Sequence, residues 1–290
     1  MAESSGKARD KIIALVADTH CGSKLGLMPP APWNLVDGGT YFPNKMQGIV
    51  WETWEEYWQI VANKRAGKDL TIVFAGDAIE GIHHGMKELV SIITEEHVDI
   101  HLESMSYALD TVKFNEEVGD ALYYVDGTGV HDGSTGSRIG KDLGARPYKE
   151  NTFVWPKIRG NIHGSLFDIA HAGAGPGTRA WTKTNGLFHT LKSIYFECLD
   201  DKVPVPNFWI RAHHHTWIQP VEYHGRQAHI TGMLMPCFQA PTKFGKFILA
   251  KGSATIAADI GGLWFSLSEG ETPLWGENIL RYKVDDIISL

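Results

Sequence analysis

Five times along this chain an apolar run of strand length ends at a small residue with an aspartate or histidine beside it. KIIALVADTHCGS carries Ile12 to Ala17 into Asp18 and His20. LTIVFAGDAIEG carries Leu70 to Ala75 into Gly76 and Asp77. ALYYVDGTGVHDG stops near Asp126, with His131 in the next loop. SLFDIAHAGAG leads to His171, and NFWIRAHHHTW to His213, His214 and His215. A sixth run, QAHITGMLMPCF, follows without a ligand set. Short β-branched runs bounded by turn residues are strand signals. Runs without alternation predict strands buried on both faces, beneath covering layers. The expected class is α/β, in which sites lie outside the carboxyl ends of the strands. Five ends furnished with Asp and His are therefore expected to converge on one sheet edge.

Between the strands lie helix signals. GIVWETWEEYWQIVANKRAGK places Trp51, Trp54, Trp58 and Val61 three or four apart, an amphipathic core helix stopped at Gly67. Residues 87–119 read as one long helix. On it His97 and His101 share a face, but Val98 stands where a zinc-protease helix needs Glu, so the pair reads as structural. Residues 25–45, rich in Pro and Gly and carrying Trp33, Tyr41 and Phe42, read as a rim or lid over the site. Residues 240–270 read as a late helix or hairpin excursion, and residues 1–10 as a flexible tail. No repeat or linker divides the chain, so a single domain over 1–290 is expected.

At 290 residues and 43% hydrophobic content, the chain can bury a sizeable core. A net charge of −7 argues against a general nucleic-acid coat. It leaves a nucleic-acid enzyme open, because bound cations reverse the sign locally. Three scattered cysteines make neither a disulfide framework nor a CxxC zinc site. The first ten residues hold no apolar h-region, and no apolar run approaches the roughly 18 residues that span a bilayer. A cytoplasmic protein with no membrane partner is expected. Fourteen histidines are the one anomaly of the composition.

In an extended chain residues two apart share a side, so Asp18 and His20 would grip one ion together. The same rule sends His213 and His215 one way and His214 the other. Asp77 follows a glycine that lets the backbone come close, and its two oxygens suit it to bridge two metals. Mixed Asp/His sets favour zinc, iron or manganese over calcium. Paired ions stabilise both the attacking and the leaving oxygen of a phosphoryl displacement.

The ordered motifs D-x-H (Asp18, His20), G-D (Gly76, Asp77), a Gly-led loop with His (Gly127, His131), a lone His171 and H-x-H (His213, His215) resemble the calcineurin-like metallophosphoesterase superfamily. The resemblance implies a four-layer α/β/β/α sandwich and two divalent ions drawn from manganese, iron and zinc, with manganese favoured. It implies that Asp18, His20, Asp77 and His215 hold the first ion, and Asp77, His171 and His213 the second. A metal-bound hydroxide would then attack phosphorus in line, with His131 as acid catalyst.

Two positions depart from the family pattern. Thr128 stands where Asn is usual in the G-N-H motif, two residues before His131. Either Thr128 serves as a metal ligand or His131 enters the metal shell. The loop is similar to G-T-x-x-H loops of phage-type branches, which points to a phage or prophage origin. Ala212 replaces the Gly that usually precedes H-x-H. His83, His84 and Arg138 are candidate contacts to substrate phosphate, and Asp132 is a candidate to orient His131.

The leading expectation is a phosphodiesterase, with nucleotide or short or single-stranded nucleic acid as the phosphate-ester partner. A phosphomonoesterase is the alternative, and a non-catalytic metal-binding module is the alternative of another class. The oligomeric state is left open.

Overall fold

A computed structural model describes residues 9–83, 85, 87–177, 180–243 and 256–284. The chain is a mixed α/β protein. In order it runs β1 (Lys11–Val16), a short ribbon β2 (Trp33–Asn34) and β3 (Thr40–Tyr41), α1 (Lys45–Arg65), β4 (Asp69–Phe74), α2 (Thr94–Thr111), β5 (Ala121–Val125), α3 (Gly136–Asp142), β6 (Val154–Trp155), β7 (Ile158–Ile162) and β8 (Ser165–Ala170). Then come α4 (Asn185–Asp200), β9 (Phe208–Arg211), β10 (Ile218–His224), β11 (His229–Leu234), β12 (Ile256–Leu267) and β13 (Leu274–Val284).

The runs that end in Asp or His divide between two sheets, where the strand pattern alone predicted a single edge. One sheet has the order β13-β12-β1-β4-β5-β6, the other β10-β11-β9-β8-β7. Neighbours β1, β4 and β5 run parallel, as do β8, β9 and β11. In β1, Ile12, Ala14 and Val16 face one core and Ile13 and Leu15 another, which is why the run shows no polar alternation. The first core takes the aromatic stripe of α1 and the apolar face of α2. The second holds side chains of both sheets, such as Leu15 and Phe265 from one and Phe167 and Ile210 from the other. The third packs Leu187, Leu191 and Tyr195 of α4 on Trp209, Ile230 and Leu234.

Helix α1 matches its expected stripe. Asn44 accepts from the backbone of Met46 and Gln47 in a capping box, and Ala66 closes the helix at φ 38° ahead of Gly67. Helix α2 is shorter than the span 87–119. Its entry segment is held extended against the D-x-H loop, with Leu89 bridged to Ser23 and the Val90 N–H bonded to the Gly22 carbonyl. Lys113 at φ 53° ends its far side.

The stretch 25–45 buries Leu27 and Met28 and packs Trp33, Leu35 and Tyr41 against the first core. Of residues 240–270, those from Ile256 form the hairpin strand β12, inserted between β13 and β1. Residues 244–255 lie outside the described residues, as do residues 1–8 of the expected tail. Among the described residues no helix is long and apolar enough to cross a membrane.

Candidate metal centre

Each candidate side chain sits on a turn just past a strand. Asp18 and His20 follow β1, Asp77 follows β4, Thr128 and His131 follow β5, His171 follows β8, and His213 and His215 follow β9. Asp18, His20, Asp77, His213 and His215 have φ of 53°, 43°, 55°, 73° and 50°. Left-handed backbone at such residues costs about 1–3 kcal/mol each and gathers at functional sites. The two-residue spacing of D-x-H and H-x-H therefore does not aim these side chains as an extended strand would; the turns do. Gly76, at φ 90°, is part of the same device. A Cβ there would lie 2.8 Å from Gly127 Cα and 2.6 Å from His171 Nδ1, so only glycine lets these loops close up.

The six side chains meet as two sets. Asp18, His20 and His215 form the first. His215 Nε2 lies 3.2 Å from Asp18 Oδ1 and 3.1 Å from His20 Nε2. Asp77, His171 and His213 form the second. His171 Nε2 lies 3.1 Å from Asp77 Oδ2 and 3.2 Å from His213 Nδ1. Asp77 Oδ2 is also 4.0 Å from His20 Nε2, which puts Asp77 between the sets. The first set is the deeper; His213 of the second is exposed.

Three observations fit this centre to divalent cations. Asp18 Oδ1 is buried, and its near neighbour, His215 Nε2 at 3.2 Å, is not aligned for a hydrogen bond, a costly state for a carboxylate oxygen. Imidazole nitrogens of His20 and His215, and of His171 and His213, face each other in pairs. Two carboxylates and four imidazoles also make a donor set suited to manganese, iron or zinc.

The charges are strongly coupled. Burial alone would raise Asp18, but the His20 and His215 imidazoles hold it well below the usual carboxylate range. Burial likewise opposes Asp77, which His171 and His20 bring down to about 2. Burial would lower His20, yet Asp18 and Glu80 carry it up to about 10. His171 rises against its burial to about 9 through Asp77 and Asp18.

Around the ligands lies a layer of orienting contacts. Thr128 bonds to Asp77 Oδ1 through its backbone N–H at 2.6 Å and its hydroxyl at 2.9 Å. Asp132 does not orient His131. It is buried, and its carboxylate accepts from the backbone N–H of Asp77, Ala78 and Ile79 at 2.9, 2.7 and 3.3 Å. Burial and the neighbouring Asp77 push it up to about 7.

The group that sequence reasoning missed is Glu80. Its buried carboxylate stands 3.1 Å from His20 Nδ1, 3.3 Å from His83 Nε2 and 2.7 Å from Gln239 Nε2. Its backbone carbonyl accepts from His131 Nδ1 at 2.6 Å, which leaves Nε2 as the working nitrogen of that ring. Glu80, His20 and His131 together are a third donor set. The position three residues beyond Asp77 was the available signal, but nothing in the local pattern marks that acid as buried.

His83 and His131 meet edge to face at 4.6 Å, so His83 belongs to the centre's surroundings. His84 lies outside the described residues. Arg138 lies on α3, with Nη2 2.6 Å from Glu95 Oε2. His214 stays out of both sets, 3.4 Å from the Gly173 carbonyl.

No family model matches the chain, and no curated protein does. A solution NMR structure of a Thermotoga maritima protein aligns with 93% of this chain and 99% of its own, at 12% identity and a TM-score of 0.36. A likeness that slight bears on neither fold nor function.

Proposed function

We propose that this chain is a dinuclear metal-dependent phosphoesterase of the calcineurin-like type, acting on phosphodiesters. The observation that carries the reading is the pair of donor sets meeting at Asp77, built on strand ends from two sheets. A four-layer α/β/β/α sandwich is the matching architecture. Its support is the succession of three cores, with α1 and α2 on the outside of one sheet and α4 on the outside of the other.

Asp18, His20, Asp77 and His215 would hold one divalent ion and Asp77, His171 and His213 the other, with manganese favoured. Such ions, when bound, supply Lewis-acid charge at the phosphoryl oxygens and make water more acidic. The chain itself supplies orientation and proton transfer. Thr128 and Asp132 hold the Asp77 turn, one through the side chain and one through the backbone. Glu80 faces Nδ1 of His20 and so directs Nε2 at the centre. His131, fixed through Nδ1, presents Nε2, and in its imidazolium form would give the Nε2 proton to the leaving oxygen. Its pKa is pushed below the ordinary value by burial, and then by the adjacent His20. Exposed His213 marks the side from which a phosphate ester reaches the centre.

The test is hydrolysis with added Mn2+ of bis(p-nitrophenyl) phosphate, p-nitrophenyl phosphate and single-stranded oligonucleotides. The expected result is faster turnover of the diesters. Preference for the monoester would move the reading to a phosphomonoesterase, and no turnover of any substrate would leave a non-catalytic module.

A further inference from the structure

Beneath the two ligand turns runs a buried polar chain that the reaction above does not use. Tyr124 of β5, His101 of α2 and Thr19 of the D-x-H turn are all buried. Tyr124 Oη is 2.8 Å from His101 Nε2, His101 Nδ1 is 3.2 Å from Thr19 Oγ1, and Thr19 Oγ1 is 2.8 Å from the Ala78 carbonyl oxygen. The direction of every bond follows from the last one. A carbonyl only accepts, so the Thr19 hydroxyl donates its single hydrogen to Ala78. Its contact with His101 must then be an Nδ1–H donating to oxygen. That tautomer leaves a lone pair on Nε2, which accepts from the Tyr124 hydroxyl. Burial keeps the ring neutral, with its pKa down at about 3. Phe74 clamps the arrangement, stacked on Tyr124 and edge-on to His101, each at 4.9 Å. The Cys21 sulfur, 3.7 Å from Nδ1, is a weaker neighbour.

Thr19 stands between Asp18 and His20, and Ala78 directly follows Asp77. Backbone bonds already run between the turns, from Asp18 N to Gly76 O at 2.9 Å and from Cys21 N to Ala78 O at 3.0 Å. The Thr19 hydroxyl adds a side-chain cross-link at the level of the ligands. On the reading that these turns hold divalent cations, we infer that His101 is a positioning residue for the metal centre. Its Nδ1–H fixes the Thr19 hydroxyl on Ala78 and so holds the Asp18–His20 turn against the Asp77 turn. The helical histidine pair thus divides. His97 is a packing residue, bonded at 2.9 Å to the Ser91 carbonyl beneath Gly22, whereas His101 reaches the centre through Thr19.

The experiment is calorimetric titration of Mn2+ into the wild-type protein, His101→Asn, His101→Gln and Thr19→Val, with the melting temperature of each in EDTA. An Asn amide N–H replaces Nδ1–H towards Thr19; a Gln amide reaches towards Tyr124 and leaves Thr19 without its donor. His101→Gln and Thr19→Val are expected to weaken Mn2+ binding about tenfold or more. His101→Asn is expected to stay near wild type, although both His101 variants melt lower. Equal Mn2+ affinity in the Asn and Gln variants would overturn the assignment and leave His101 a packing residue. Should the His101 variants not fold, near-isosteric Thr19→Val decides alone: unchanged affinity overturns the assignment, a tenfold loss upholds it. A wild-type protein that takes up no Mn2+ contradicts the metal reading itself, and the role of His101 falls with it.

Discussion

Thr128 gives both of its hydrogens to a single oxygen of Asp77, its N–H at 2.6 Å and its hydroxyl at 2.9 Å from Oδ1. The other oxygen, Oδ2, is left facing His171 and His20. Thr128 therefore orients the carboxylate that the proposed function gives to the ions. Thr128→Val keeps the backbone bond and loses the hydroxyl bond, and is predicted to weaken Mn2+ binding about tenfold. Thr128→Ser should restore it. Calorimetry that finds the Val variant as tight as wild type would remove this role.

Glu80 faces three side chains at once, with His20 Nδ1 at 3.1 Å. A carboxylate behind a metal-ligating imidazole fixes its tautomer and raises its basicity. Glu80→Gln keeps the shape and removes the charge. It is predicted to lose about 10- to 100-fold in metal affinity, read as the Mn2+ concentration giving half-maximal activity. Unchanged Mn2+ dependence would make Glu80 a packing acid.

His131 is held by a backbone carbonyl rather than by a carboxylate. His131→Ala is predicted to slow diester turnover by about 10²- to 10⁴-fold while metal content stays near two equivalents. A loss of one equivalent, measured by elemental analysis, would move His131 from acid to ligand within the set it forms with His20 and Glu80.

The coupled charges predict how stability follows pH in the metal-free protein. Asp77 and Glu80 drop from 3.8 and 4.5 to about 2 on folding, against their burial and through neighbouring imidazoles. That stability is present above about pH 4.5 and is lost as pH falls towards 2. His20 and His171 rise from 6.5 to about 10 and about 9. Their contribution is full below pH 6.5 and is lost as pH rises through 9 and 10. In EDTA the melting temperature should therefore decline from pH 6.5 to 9.5. The gain from Mn2+ should grow over the same range, because ligation needs unprotonated imidazoles. A metal-free melting temperature that stays level across that range would contradict the coupling.

Strand β1 was legible because it feeds two cores: Ile12, Ala14 and Val16 on one side, Ile13 and Leu15 on the other. The ligand types were legible because Asp and His stand where those apolar runs end. What aims them was not. Left-handed φ at Asp18 or His215 has no mark in the residue names, and a two-residue spacing describes a strand the chain has already left. Contacts made across long separations were hidden for the same reason. Asp132 reaches the Asp77 turn from a different loop, and Gln239, at the end of the sixth run, meets Glu80. Strand β12 enters the sheet beside β1 from the far end of the chain.

Asp77 stands between the two donor sets, and it carries the central claim. The most direct measurement is Mn2+-dependent hydrolysis of bis(p-nitrophenyl) phosphate by the wild-type protein and by Asp77→Ala, with bound metal counted in both. The predicted result is saturable turnover with about two Mn2+ per wild-type chain, and near-total loss of activity together with bound metal in the variant. Hydrolysis that persists unchanged in Asp77→Ala would contradict a two-metal centre as the seat of the reaction.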